Sequence, residues 1–64
     1  MTAMEELRDL IKASTDKMLF EMWETSKQDM TMAGIATNAI IEAELEHRNL
    51  IALNEETMEY EILL

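Results

Sequence analysis

The chain has no cysteine, no proline, a single glycine at Gly34, and one each of phenylalanine, tyrosine and tryptophan. Without cysteine, neither a disulfide nor a thiolate metal site can staple the fold, and the composition fits a reducing cytosol. One glycine leaves no glycine-rich loop to cradle a phosphate. Basic residues are scarce, 5 against 14 acidic ones, for a formal net charge of −9. That balance repels nucleic-acid phosphates and anionic lipid, disfavours direct nucleic-acid binding, and suits a basic partner protein. It also keeps an apolar-rich chain in solution. No apolar run approaches the roughly 20 residues that span a bilayer. The first residues include Glu5, Glu6 and Asp9 rather than a basic stretch leading into an apolar one, so neither a membrane segment nor a signal peptide is expected. With one histidine, and with Ser14 and Ser26 at a cap and a loop, no nucleophilic triad is expected. An enzyme is not expected, nor a cofactor.

What is present is helical pattern. Hydrophobic residues make up 48% of 64 residues, enough to argue against disorder but only for one small domain, 1–64. Thr2-Ala3-Met4-Glu5 matches a capping box and opens a helix over about 3–13, with Met4, Leu7, Leu10 and Ile11 on its apolar face. Ser14-Thr15-Asp16 is a break and a second cap signal, either Ser14 or Thr15 serving as cap. A helix over about 16–26 follows, with Leu19, Met22 and Trp23 inward and Phe20 to one side. Thr25 to Thr31 is polar and reads as a loop. Thr31 then caps the longest helix, about 31–48, with Asn49 as its stop. Leu50-Ile51-Ala52-Leu53 is a short apolar run, Asn54-Glu55-Glu56 is turn-like, and Met58, Tyr60 and Ile62 alternate with Thr57, Glu59 and Glu61. Period-two alternation predicts a β-hairpin over about 50–53 and 57–63. The alternative is an all-α chain with a short fourth helix capped by Asn54. The predicted fold is mainly α: three helices and a C-terminal hairpin.

The long helix carries two stripes. At 100° per residue, Met32, Ala36, Ala39, Ile40, Ala43 and His47 share one side, with Ile35 at its edge. Gly34, Asn38, Ile41 and Leu45 lie on the opposite side. The first stripe is expected to face the chain's own helices. The second is expected to meet a second copy, so Gly34, Asn38, Ile41 and Leu45 are the candidate homodimer interface, and Leu45→Arg should give a helical monomer. The rival is that the C-terminal segment covers Ile41 and Leu45.

Other constellations are weaker. Glu44 and His47 form Glu-x-x-His, the spacing that lets two side chains on one helical face reach a single ion; two copies in a dimer, with Glu21 or Glu24, would complete a carboxylate-bridged site. A histidine on an apolar stripe is more commonly a packed residue, so no metal is expected. Glu42 with Glu46 and Glu55 with Glu59 are four apart, with no neighbour to drive their proton affinities apart for acid–base work. There are seven methionines, and Met18, Met22, Met30 and Met32 gather near Phe20 and Trp23. Methionine-rich surfaces repack against different partners, which marks Phe20, Met22 and Trp23 as a candidate partner surface; the plainer reading is that the methionines fill gaps in a small core.

Two resemblances add to this. The element order, with Ile40 to Leu53 ending LEHRNLIAL, looks like a winged-helix third helix entering its wing. That resemblance implies a third helix in the major groove, but here it would present Glu42, Glu44 and Glu46 with only Arg48 basic, and the wing would carry Glu55, Glu56, Glu59 and Glu61. A winged-helix-like module facing protein is the consistent version. MLFEMWE followed by IIEAELEHRN is similar to small acidic helical proteins of phages and mobile elements, a resemblance that implies no activity. Together these predict a cytoplasmic, non-catalytic interaction or regulatory module, a homodimer of phage or mobile-element origin. One alternative is an acidic inhibitor that imitates DNA and occupies a basic groove. Another is a winged-helix transcriptional regulator using Arg8, Lys12, Lys27 and Arg48.

Overall fold

Each helix of the computed structural model, which describes residues 2–63, begins at a threonine. Thr2 caps α1 (Ala3–Ala13), Thr15 caps α2 (Asp16–Lys27) and Thr31 caps α3 (Met32–His47). In each case the hydroxyl oxygen accepts from the backbone N–H three residues on: Glu5 at 3.2 Å, Met18 at 3.2 Å and Gly34 at 3.1 Å. This satisfies one of the four amides that a helix start leaves without a partner. Ser14 takes the other half of the first corner, donating to the Leu10 carbonyl at 2.8 Å. Thr25, expected in the loop, is helical, and the connection shrinks to 28–31.

Asn49 stops α3 by a specific device. Its φ is 60°, the left-handed region that asparagine tolerates better than most residues. The Asn49 N–H donates to the Glu46 carbonyl and the Leu50 N–H to the Leu45 carbonyl, both at 2.9 Å. That is the paired closure of a Schellman motif. It turns the chain so that Leu50 and Ile51 fold back onto the core.

The C-terminal segment is the hairpin, not a fourth helix. β1 (Ile51–Asn54) pairs antiparallel with β2 (Glu59–Ile62), Ile51 opposite Ile62 and Leu53 opposite Tyr60. Both strands sit within one or two residues of the sequence expectation. Asn54 organises the turn: its side-chain oxygen accepts from the Glu56 N–H at 2.9 Å, and its carbonyl from the Met58 N–H at 2.7 Å. Met58 takes a φ of 60° to close it. The strands carry Ile51, Leu53, Tyr60 and Ile62 on one face and Ala52, Asn54, Glu59 and Glu61 on the other, as the alternation requires.

The core is Ile11, Leu19, Trp23, Ile41, Leu45 and Ile51, one or two residues from every element except β2. Leu7, Phe20, Met22, Ile40, Leu50 and Tyr60 pack around it. α2 lies along α3, and α1 leans on α3 more than on α2. Among the described residues the hairpin is the whole sheet, with no strand between the helices. Nor is any helix among them long and apolar enough to cross a membrane.

Candidate interaction surfaces

The two sides of α3 are exchanged relative to the sequence expectation. Ile41 is 1% exposed and Leu45 0%, both within the chain's own core, and Gly34 is buried beneath the Asp29 side chain. They are therefore covered inside one chain rather than left as a free side of α3 for a second copy. The cover comes from α1, α2 and the hairpin together. Asn38, the fourth expected interface residue, is half-buried and accepts from the Ser26 hydroxyl at 2.8 Å, tying α3 to α2. Leu45→Arg would thus put a cation into the core rather than separate two subunits.

The stripe expected to face inward is the outer one. Met32 is 83% exposed and Ile35 53%, and Ala36, Ala39, Ala43 and His47 are exposed as well. Only Ile40 turns partly inward. Ile41 and Leu45 lie in the second half of α3, among the core residues of the other elements, whereas the large outer residues Met32 and Ile35 stand in its first turn.

The proposed partner surface also divides. Trp23 is 2% exposed and belongs to the core. Its indole N–H donates to the Glu42 carboxylate at 3.0 Å, and the Lys27 ammonium stands 3.7 Å from the ring centroid. Phe20 tilts against it with centroids 6.1 Å apart. Phe20 and Met22 are half-buried, so only their outer edges reach solvent.

Glu44 and His47 do not form a pair. The Glu44 carboxylate accepts from Arg48 Nε at 2.8 Å, whereas His47 lies exposed on the outer stripe. Among the described residues no cluster of three or more His, Cys, Asp or Glu side chains could hold a metal ion.

Arg48 is a structural tie that periodicity did not single out. Besides Glu44 it donates to Asp16 at 2.9 Å and to the Lys12 carbonyl at 3.0 Å. One guanidinium thus joins the end of α3 to the start of α2 and closes the last turn of α1, whose carbonyls lack helical partners. The Glu44 hydrogen bond, then that to Asp16, holds its pKa above the ordinary arginine value. The sequence signal for it was a basic residue in the last turn of a helix, which points only to that helix's own end. With Glu42 on Trp23 and Glu44 on Arg48, two of the carboxylates that α3 was expected to present outward are engaged internally.

Between α1 and α2, above the first half of α3, lies a groove of about 470 Å³. Ile11, Gly34 and Ile41 form its floor, and Leu7, Met18 and Met22 its apolar walls. Glu21 and Asp29 are the charged residues that line it. Asp29 is fixed in place: its carboxylate accepts from the Thr31 hydroxyl at 2.7 Å and the Thr31 N–H at 2.9 Å, bonds that hold its pKa below the usual carboxylate value. Gly34 makes room for it, since a Cβ there would stand 2.6 Å from the Asp29 Cβ. A second, smaller recess between α1 and α3 holds Arg8 and Lys12 beside Ala39 and Ala43.

Comparison with family models, with curated proteins and with solved structures gives no match.

Proposed function

We propose that this chain is a non-catalytic protein-interaction module that acts as a homodimer, joined through the outer side of α3. The observation that supports the reading is the uncovered apolar stripe of Met32, Ile35, Ala36, Ala39 and Ala43 on a helix whose other side already fills the core. Apolar side chains at that density gain free energy when covered, and the alanines let a second α3 approach closely. The premise that one side of α3 serves the chain and the other a partner is kept; the residues assigned to each side are exchanged. The cysteine-free composition supports a cytosolic setting. The resemblance to small acidic phage and mobile-element proteins supports an origin among them.

An acidic DNA mimic and a winged-helix regulator are less well supported. The internal engagement of Glu42 and Glu44 removes two carboxylates from the surface a mimic would use. The salt bridges of Arg48 and Lys27 remove half of the basic patch a regulator would need.

Size-exclusion chromatography with light scattering tests the dimer. The expected result is a mass approaching twice the 7.4 kDa of one chain as concentration rises. Ala39→Glu, on the exposed stripe, should return the mass to one chain with helicity unchanged. A single-chain mass across the whole concentration range would remove the self-association reading.

A further inference from the structure

α1 and α2 meet at the Ser14–Thr15 corner and then part, because α1 leans on α3 rather than on α2. The gap between them is the apolar groove, and it has the length and lining of a helix seat. Along the α2 wall the lining runs from Met18 to Ser26, and along the α3 floor from Ala33 to Ile41. Eight residues at 1.5 Å each make both stretches about 12 Å long, roughly two helical turns. A helix laid there would bring about three apolar side chains, at i, i+4 and i+7, against the floor. The walls suit adaptable contact, since Met18 is 50% exposed and Met22 is half-buried, and methionine conforms to irregular surfaces.

Charge decides what kind of helix. Of the lining residues the charged ones, Glu21 and Asp29, are both acidic, and the two hydrogen bonds from Thr31 favour the ionised form of Asp29. The chain as a whole stands at −9. We infer that this groove seats an amphipathic helix of a different protein, with an apolar face of two turns and lysine or arginine on its flanks. A second copy of this chain is disfavoured as occupant, since it would bring the same negative charge to an acidic rim. A seat of this kind, offered head to tail, would also build open chains of copies rather than a closed dimer. The inference rests on the reading of the chain as a protein-interaction module but not on the α3 dimer, which uses the other side of the molecule.

The test is a selection from a displayed library of 16-residue peptides against the intact chain. Binding is then followed through the methionine methyl resonances. Enriched peptides should carry apolar residues at i, i+4 and i+7 with a net positive charge, and their affinity should fall steeply with added salt. They should shift the methyls of Met18 and Met22 and leave those of Met32 and Met58 in place. Thr25→Arg, at an exposed lining position, should weaken binding at least tenfold without lowering the melting temperature. Glu21→Lys should weaken basic peptides to a similar degree.

Four results would overturn the inference: no enrichment above the starting library, enriched peptides without basic excess, equal binding to the Thr25→Arg variant, or shifts at Met32 instead of Met18 and Met22. The last would leave the interaction reading standing and move the partner to the outer stripe. Shifts of Met18 and Met22 that grow with protein concentration alone would assign the groove to a second copy and overturn the inference as well. Failure of the dimer is read separately, from the light-scattering mass without peptide.

Discussion

Replacing one side chain on each side of α3 by alanine separates the two sides by the size of the effect. Leu45 has no exposed surface and packs among residues from three other elements. Truncating such a leucine removes its transfer free energy and leaves a cavity, a loss of about 3 kcal/mol. A domain of 64 residues has on the order of 3–10 kcal/mol of stability in all. For a chain this small each 1 kcal/mol lowers the melting temperature by about 4–8 °C, so Leu45→Ala should lower it by roughly 12–24 °C, or prevent folding outright. Ile35 is about half exposed and leaves no enclosed cavity, so its truncation costs below about 1 kcal/mol. Alanine is also the better helix former by a few tenths of a kcal/mol, about enough to cancel much of that. The melting temperature of Ile35→Ala should therefore stay within about 3 °C of the parent. Both are read by circular dichroism at 222 nm, at a protein concentration low enough that association does not contribute. Raising the concentration should then raise the parent's melting temperature more than that of Ile35→Ala. A Leu45→Ala protein melting within 3 °C of the parent, or an Ile35→Ala protein falling as far as Leu45→Ala, would refute the assignment of the two sides.

Gly34→Ala would ordinarily stabilise a helix interior by about 1 kcal/mol, but the added methyl overlaps the Asp29 side chain. The expected outcome is a lower melting temperature, with the Asp29 carboxyl titrating closer to its ordinary range as its bonds to Thr31 break; a higher melting temperature would show that the turn yields freely. The Tyr60 hydroxyl is pushed up to about 12, first by the neighbouring Glu46 carboxylate and then by burial. A group whose value is raised by folding contributes stability that is complete below its unfolded value near 10 and is lost as pH rises through about 12. Stability should fall across that window less in Glu46→Gln than in the parent, and the phenolate absorbance midpoint of Glu46→Gln should drop toward 10; an unchanged midpoint would show that Glu46 is not the cause.

Local chemistry made most of the fold legible. Thr2, Thr15 and Thr31 sit where a side-chain oxygen can meet the free amides of a helix start, and that geometry involves only the next three residues. Asn49 tolerates the left-handed conformation that ends α3. Met58, Tyr60 and Ile62 alternate with a period that only an extended chain turns into a face, although Met58 itself went to the turn. The inward side of α2 followed from Leu19 and Trp23, because the residues opposite them are polar.

α3 is where this reasoning stopped. Its two sides are both apolar, so periodicity ranked them by count, and the side with more apolar residues was taken as inner. The folded chain ranked them by position: Ile41 and Leu45 lie in the second half of α3, where the core gathers, while Met32 and Ile35 stand in its first turn and the later outer positions are alanines and His47 apart from Ile40. Arg48 was beyond local reading for a related reason. Its partners Asp16 and Lys12 lie 32 and 36 positions away and are brought to it only when three helix ends meet. The groove exists because α1 leans on α3 and not on α2, a matter of how whole helices pack. The sequence by itself therefore placed the ends of each helix and strand to within one or two residues, since those choices rest on neighbours along the chain. The tertiary structure alone decided which face of α3 is inside and what surface is left for a partner, since those depend on side-chain volumes supplied by segments distant in sequence.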